Sequence, residues 1–343
     1  GITSNGLKYA LEDNMYHNLD ANYDNGAESI FAAQFSVDAN NNGNPGFSLN
    51  YPHSVDSKLA PGGCCGFFQP SYELANSYQV TATGLPYLDN EYRAMASVSE
   101  YVGSKFVNRN VPVDPRLDFA IGRQGIPYKD WGVCFTGGYG IRDKGNGGIF
   151  LPKKHVYSKK EFADGTASTS KYDGWAPQSS LNMQYLSVRD MILLYAECLA
   201  DNNELPAAMA QVNLIRARAA KVVNWPKMTD GTYAAQYAVA PYPSSHASFT
   251  DKATCIKAIR FERKLELAME GQRGFDLFRW GGEYMAKEIS DYVTYETKYI
   301  AKFVSASKLS AAKTTFPVPD TQILTKGNDA SGKPYLQQNP VWK

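Results

Sequence analysis

Apolar residues recur at steps of three and four along the later part of this chain, and the steps predict helices. Val188, Met191, Ile192, Tyr195, Cys198 and Leu199 share one face of a first helix. Pro206 stands where a first turn tolerates it, and Ala208, Val212, Ile215 and Ala219 share a face of the next. Joined by DNNELP, the two make a helical hairpin of tetratricopeptide size. One hairpin cannot bury its own faces, so its neighbours are expected N-terminal to Gly1. A third stretch, Ile256 to Gly281, carries two stripes: Ile256, Ile259, Arg263 and Leu267 on one, Phe261, Leu265 and Ala268 on the other. Two stripes predict a central helix with neighbours on both sides, capped by Thr250 or Asp251. Arg260, Glu262, Arg263, Glu266, Glu270, Arg273, Asp276 and Arg279 would then be partly buried, and buried charges persist only when paired. The expected role is a structural carboxylate–guanidinium network, not an active site.

The earlier pattern is less regular. Residues 1–24 read as helical, Glu28 to Val37 as a strand, and residues 38–54 as an irregular Asn/Gly/Pro loop. Pro70 to Tyr78 reads as a short helix with Ser71 as cap, and residues 91–107 as helical. From Val111 to Tyr157 glycines and aromatics alternate with no helical face, and the embedded rings argue against disorder. A Ser/Thr-rich linker at 164–171 precedes the helices, and a Tyr/Pro/Ser-rich excursion at 222–249 interrupts them. The division drawn is therefore 1–180, a loop-rich ligand-binding region with short helices and strands, and 181–343, the hairpin, the central helix and a polar tail.

A formal net charge of +1 removes the usual argument for a nucleic-acid or anionic-membrane partner. No run of eighteen apolar residues occurs. Gly1 leads almost at once into a helix-like stretch, without a start methionine or signal-like segment, which suggests a chain whose natural N-terminal part is absent from this sequence. The five cysteines lack zinc-ligand spacing, so no metal and no cofactor are expected. Cys198 and Cys255 are expected to be buried thiols. Cys64 and Cys65 are adjacent in PGGCCGFF, where a disulfide between them, or from one of them to Cys134, is open.

Nucleophile-elbow, zincin, P-loop and EF-hand motifs are all missing. Asp114, Asp118, Asp130 and Asp143 are available for hydrolysis by paired carboxylates, but no nucleophile–base–orienter set points to an enzyme. A binding module remains. Sugars present C–H faces and hydroxyl edges, so a site needs aromatic platforms beside planar hydrogen-bonding groups. Tyr51, Phe67, Phe68, Trp131, Tyr139 and Trp175 are loop aromatics that could be platforms or loop anchors. Arg123, Asp130 and Arg142 are their candidate polar partners, with internal salt bridges as the alternative.

On several ordered blocks the chain resembles the SusD/RagB family of outer-membrane nutrient-binding lipoproteins. The blocks are ESIFAAQF, VPVDPRLDFAIGRQGIPYKDWG, the hairpin YLSVRDMILLYAECLADNNELPAAMAQVNLIRARA, AIRFERKLELAMEGQRGFDLFRWG, and PVPDTQI followed by QNPVW. The resemblance implies a mainly α, SusD-like fold: a tetratricopeptide-like helical scaffold with a loop-rich ligand-binding half containing a few short strands. It also implies lipid anchoring at the outer-membrane cell surface, through an N-terminal part absent here, and a SusC-like TonB-dependent transporter as partner. The activity expected is non-catalytic capture of an oligosaccharide. The alternative is a peptide ligand, with a helical adaptor or a glycoside hydrolase as further readings.

Overall fold

The structure is a computed structural model that describes residues 1–37, 50–54, 60–62, 65–134, 139–168, 178–306 and 309–342. Trp175, Cys64 and most of the loop at 38–54 lie outside these residues. The fold is mainly α. Its elements in chain order are β1 (Ser29–Ala33), α1 (Tyr72–Ser77), β2 (Ser99–Val102), β3 (Lys105–Asn108), α2 (Arg116–Ala120), β4 (Ile121–Gly122), α3 (Lys144–Gly147), β5 (Leu151–Pro152) and α4 (Lys159–Asp164). Then follow β6 (Ala167–Ser168), β7 (Gln178–Ser179), β8 (Met183–Ser187), α5 (Val188–Asp201), α6 (Leu205–Ala219), α7 (Lys252–Glu266), α8 (Gln272–Arg279), α9 (Gly282–Glu296) and α10 (Asp320–Lys326). Among the described residues the strands pair as antiparallel two-stranded ribbons: β1 with β8, β2 with β3, β4 with β5 and β6 with β7.

Two compact units divide the chain, Gly1–Glu270 and Gly271–Lys343. The division drawn at residue 180 therefore separates two kinds of local structure within the first unit rather than two bodies. Four local expectations change. Residues 1–24 hold only short 3-10 turns at Met15–Leu19 and Ala21–Tyr23. Residues 91–107 become a 3-10 turn followed by the β2–β3 hairpin. The expected central helix is broken: α7 ends at Glu266, Met269 and Gly271 adopt positive φ, and α8 starts afresh. Leu267 closes α7, and Gly271, in the left-handed region that glycine adopts without strain, stands at the N-cap of α8. Cys198 is exposed, whereas Cys255 is buried as expected.

The main core is a three-helix packing of α5, α6 and α7. Leu193, Ala196, Leu199, Val212, Ile215, Ala258 and Ile259 meet there, with Tyr242 and Phe249 from the 222–249 excursion. The hairpin thus has a neighbour in α7, downstream of it in the chain. On α6 the expected face is the buried one. On α5 the buried face is turned, and Tyr195 stays in solvent. The cause lies at its first turn, where Arg189 and Asp190 point inward and take the helix face with them. Capping follows the sequence: Ser187 accepts from Asp190 N, Asp251 from Thr254 N and Ser71 from Leu74 N.

Inward ions form a connected lattice that ties these helices to the irregular part of the chain. On α7, Glu262 meets Arg116 (2.6 Å) and Arg216 (3.0 Å), while Glu266 meets Arg116 (3.0 Å) and Arg218. Arg116 also pairs with Asp114 at 2.7 Å, and Arg218 with Glu28 at 2.6 Å. Arg189 joins Glu28 (3.2 Å) to Glu270 (2.9 Å), and Lys154 reaches Glu270 at 2.6 Å. Five cations and five carboxylates balance, all buried or nearly so. Arg263 extends the arrangement to Asp190 at 2.8 Å. Burial alone would raise the carboxyl pKa values, but the guanidiniums of Arg218 and Arg116 hold Glu266 at about 2, and Arg189 and Lys154 do the same for Glu270. Such a lattice adds little net stability over apolar packing, but it penalises any arrangement that strands one member.

Four of the expected network residues stand outside this lattice. In the second unit Arg273 pairs with Glu288 at 3.0 Å and Arg279 with Asp276 at 2.8 Å. Arg260 is only partly buried. In that same unit the tail closes on itself, since the Gln338 side chain pairs with both backbone groups of Val318 and the Trp342 indole donates to Thr315 O.

Candidate functional site

Between residues 50 and 168 the loops pack around their own small core. Tyr51, Tyr128, Cys134, Leu151, Val156, Tyr157 and Ala167 are buried together, with Trp131 and Ile141 against them. Tyr51 meets Tyr157 edge-on at 5.4 Å, and Trp131 meets it at 5.9 Å while donating its indole N–H to Tyr157 O (3.0 Å). Tyr51 is 0% exposed, so this candidate platform is an anchor. Trp131 is half-buried and likewise committed to the core.

Arg123 is also corrected. It is 1% exposed, and its Nε and Nη2 donate to Asp118 at 2.7 and 2.6 Å, while the Tyr237 hydroxyl donates to the same carboxylate at 2.8 Å. Burial works against the Arg123 charge, but the facing carboxylate outweighs it and raises the pKa above its ordinary value. Asp130 is exposed, but its two oxygens accept from Lys159 N (2.6 Å) and Lys160 N (2.8 Å) at the start of α4.

The remaining candidates converge. A parallel bridge sets Tyr51 beside Cys65, Gly66 N donates to Tyr51 O at 3.0 Å, and His53 N donates to Gly140 O at 2.8 Å. Residues 65–68 and 139–142 are thereby brought together along one short segment, residues 51–53. Across them Arg142 Nη1 donates to Cys65 O at 3.0 Å, and its guanidinium lies 4.8 Å from the Phe67 ring centroid. Phe67, Phe68 and Tyr139 are 48%, 51% and 49% exposed. Cys65 is disulfide-bonded, and Cys134 is a buried thiol outside any disulfide, so the pairing with Cys134 is ruled out. Exposed rings beside a planar, multiply donating guanidinium are the surface that a sugar face and its hydroxyls require.

A family model, that of the SusD family, matches residues 27–342. The chain belongs to the SusD family. Among solved structures, it resembles a SusD homolog from Bacteroides thetaiotaomicron VPI-5482 (TM-score 0.54, 19% identity, 97% of this chain and 56% of that one). It also resembles surface glycan-binding protein A from Bacteroides fluxus (TM-score 0.53, 18% identity, 97% and 55%) and a SusD superfamily protein from Bacteroides vulgatus ATCC 8482 (TM-score 0.51, 16% identity, 93% and 53%). These are likenesses of fold, and the chain spans little more than half the length of each of those structures. No curated protein matches it in sequence.

Seen within this SusD-family fold, the carboxylates once available for hydrolysis all have structural partners. Asp114 and Asp118 pair with Arg116 and Arg123, Asp130 holds α4, and Asp143 accepts from Gly145 N to cap α3. No group of His, Cys, Asp and Glu that could hold a metal ion occurs among the described residues. Nor is any described helix long and apolar enough to cross a membrane. One concavity escaped the sequence reading. A cavity of about 510 Å³ lies beside α4, and its lining includes the apolar Trp225, Val222 and Tyr16 together with Lys129, Lys153 and Lys227. Its only signal was the aromatic bias of the 222–249 excursion.

Proposed function

We propose that the protein captures an oligosaccharide nutrient at the bacterial cell surface without transforming it, and passes it to a SusC-like TonB-dependent transporter of the outer membrane, to which it is lipid-anchored. The observation that carries the reading is the exposed Phe67–Arg142 pair, flanked by Phe68 and Tyr139, on a SusD-family chain. A ring stacked under a guanidinium offers an apolar face and several N–H donors at one spot, which suits a pyranose better than a flat hydrocarbon. The likeness in fold to a structure described as a surface glycan-binding protein supports the same reading. Binding is expected to be weak per sugar unit, because an open patch removes little ligand surface from water.

Calorimetric titration with a panel of neutral oligosaccharides and extended peptides tests this. Phe67→Ala and Arg142→Ala should each weaken binding of the captured glycan about tenfold, with folding unchanged because both side chains are exposed. Binding of peptides only, or glycan affinity indifferent to both substitutions, would contradict the proposal.

A further inference from the structure

The lysines that line the cavity beside α4 have donor capacity left over. Lys153 is buried, and its ammonium donates to two backbone carbonyls, Asp118 O and Pro127 O (2.7 Å), leaving one of its three N–H groups for the space that it lines. Among the described residues no carboxylate lies within ion-pair distance of it, in contrast to its neighbour Lys154. Burial, with the Lys129 and Arg123 charges, pulls its pKa down to about 8 against the attraction of Asp118. Lys129 donates to Leu19 O (3.0 Å) and leans on Glu161 (3.5 Å), again with one N–H to spare, and it holds positive φ, a conformation sparsely used by side-chain-bearing residues. Lys227 faces the Tyr233 ring, and among the described residues no carboxylate lies within ion-pair distance of it.

Three carboxylates line the cavity, Asp20, Asp130 and Glu161, and all accept hydrogen bonds from the protein: Asp20 Oδ1 accepts from Asn22 N and Asn22 Nδ2, both at 2.9 Å. Both oxygens of Asp130 accept backbone N–H groups, and Glu161 accepts from Ala21 N (2.9 Å) and Ser158 N (2.6 Å). The lining also includes the Trp225 indole, whose N–H is spent on Ala219 O (3.0 Å) and whose ring is steadied edge-on by Tyr233 at 5.2 Å. A volume of about 510 Å³ falls within the usual range for a small-molecule site.

We infer that this cavity is a second ligand site, selective for a sugar unit bearing a carboxylate, with Lys153, Lys129 and Lys227 facing the anion and Trp225 facing the ring. The inference deepens the saccharide reading above and rests on it. Binding an anion there would supply the counter-charge that the Lys153 ammonium lacks. The site is separate from the Phe67–Arg142 patch, which shares none of its lining residues.

The test is calorimetric titration of residues 1–343 with trigalacturonate, its methyl ester and the neutral galactotriose. The acid should bind at least about tenfold more tightly than the ester, as loss of a charge-assisted hydrogen bond predicts. Lys153→Met should abolish that preference. Because a buried lysine substitution can impair folding, the exposed Lys227→Ala is the second probe, expected to weaken the acid about threefold while neutral oligosaccharide binding at the patch is unchanged. Conversely, Phe67→Ala and Arg142→Ala should spare trigalacturonate, so failure of either site is read independently. Equal binding of acid and ester, no binding of the acid, or indifference to Lys227→Ala overturns the assignment.

Discussion

Glu266→Gln removes one charge from the middle of the buried lattice and leaves the shape almost unchanged. Glu266 faces Arg116 and Arg218 directly, with Arg189 at 4.0 Å. Burial pushes its carboxyl up, but the surrounding cations hold it at about 2 against an ordinary 4.5. At 1.36 kcal/mol per pKa unit this displacement corresponds to about 3 kcal/mol. The figure agrees with the roughly 3–5 kcal/mol lost when one partner is taken from a buried ion pair. A depressed folded-state pKa means that the stabilisation is fully present above about 4.5 and is lost as pH falls towards 2. Glu270 and Glu73, also held at about 2, add to the same acid sensitivity. Urea unfolding of wild type and Glu266→Gln at pH 7 should therefore differ by about 3 kcal/mol, and the gap should shrink steadily between pH 4.5 and 2. A difference below about 1 kcal/mol that does not vary with pH would mean solvated charges and would refute the lattice.

Arg123→Met should destabilise by about 3–5 kcal/mol, because it strands Asp118 in the interior; an unchanged melting temperature with weakened glycan binding would return Arg123 to the ligand surface. Leu193→Ala should cost about 2–5 kcal/mol and Tyr195→Ala less than about 0.5, measured by urea unfolding, since the α5 face is turned towards Leu193. The reverse order would mean that the face expected from apolar spacing is the buried one after all.

That pair of substitutions marks where the sequence was legible and where it was not. Both stripes of α7 were readable because three- and four-residue steps project onto a helix directly, and Ile259, Arg263, Phe261 and Leu265 are all buried. Their counter-ions were not readable. Glu28, Asp114, Lys154, Arg189 and Arg218 come from distant elements, and only folding brings them to α7. For the same reason α5 was read by its apolar residues, whereas its buried face includes Arg189 and Asp190. The hairpin at 99–108 had a usable signal that went unread, a Gly103-Ser104 pair between two short runs, with Gly103 at positive φ as a two-residue turn requires. In the loops, composition alone could not separate an anchor such as Tyr51 from an exposed ring such as Phe67. Both are aromatics set among glycines, and only the packing distinguishes them.

Cargo is proposed to meet the protein at the rings and guanidinium carried by residues 65–68 and 139–142. A ¹⁵N NMR titration with the oligosaccharide that binds in calorimetry addresses it directly. The account predicts saturable shifts of the Arg142 side-chain Nε–H and of the backbone amides of Phe67 and Phe68, with the β1–β8 ribbon unmoved. Shifts confined to residues outside this patch would contradict it.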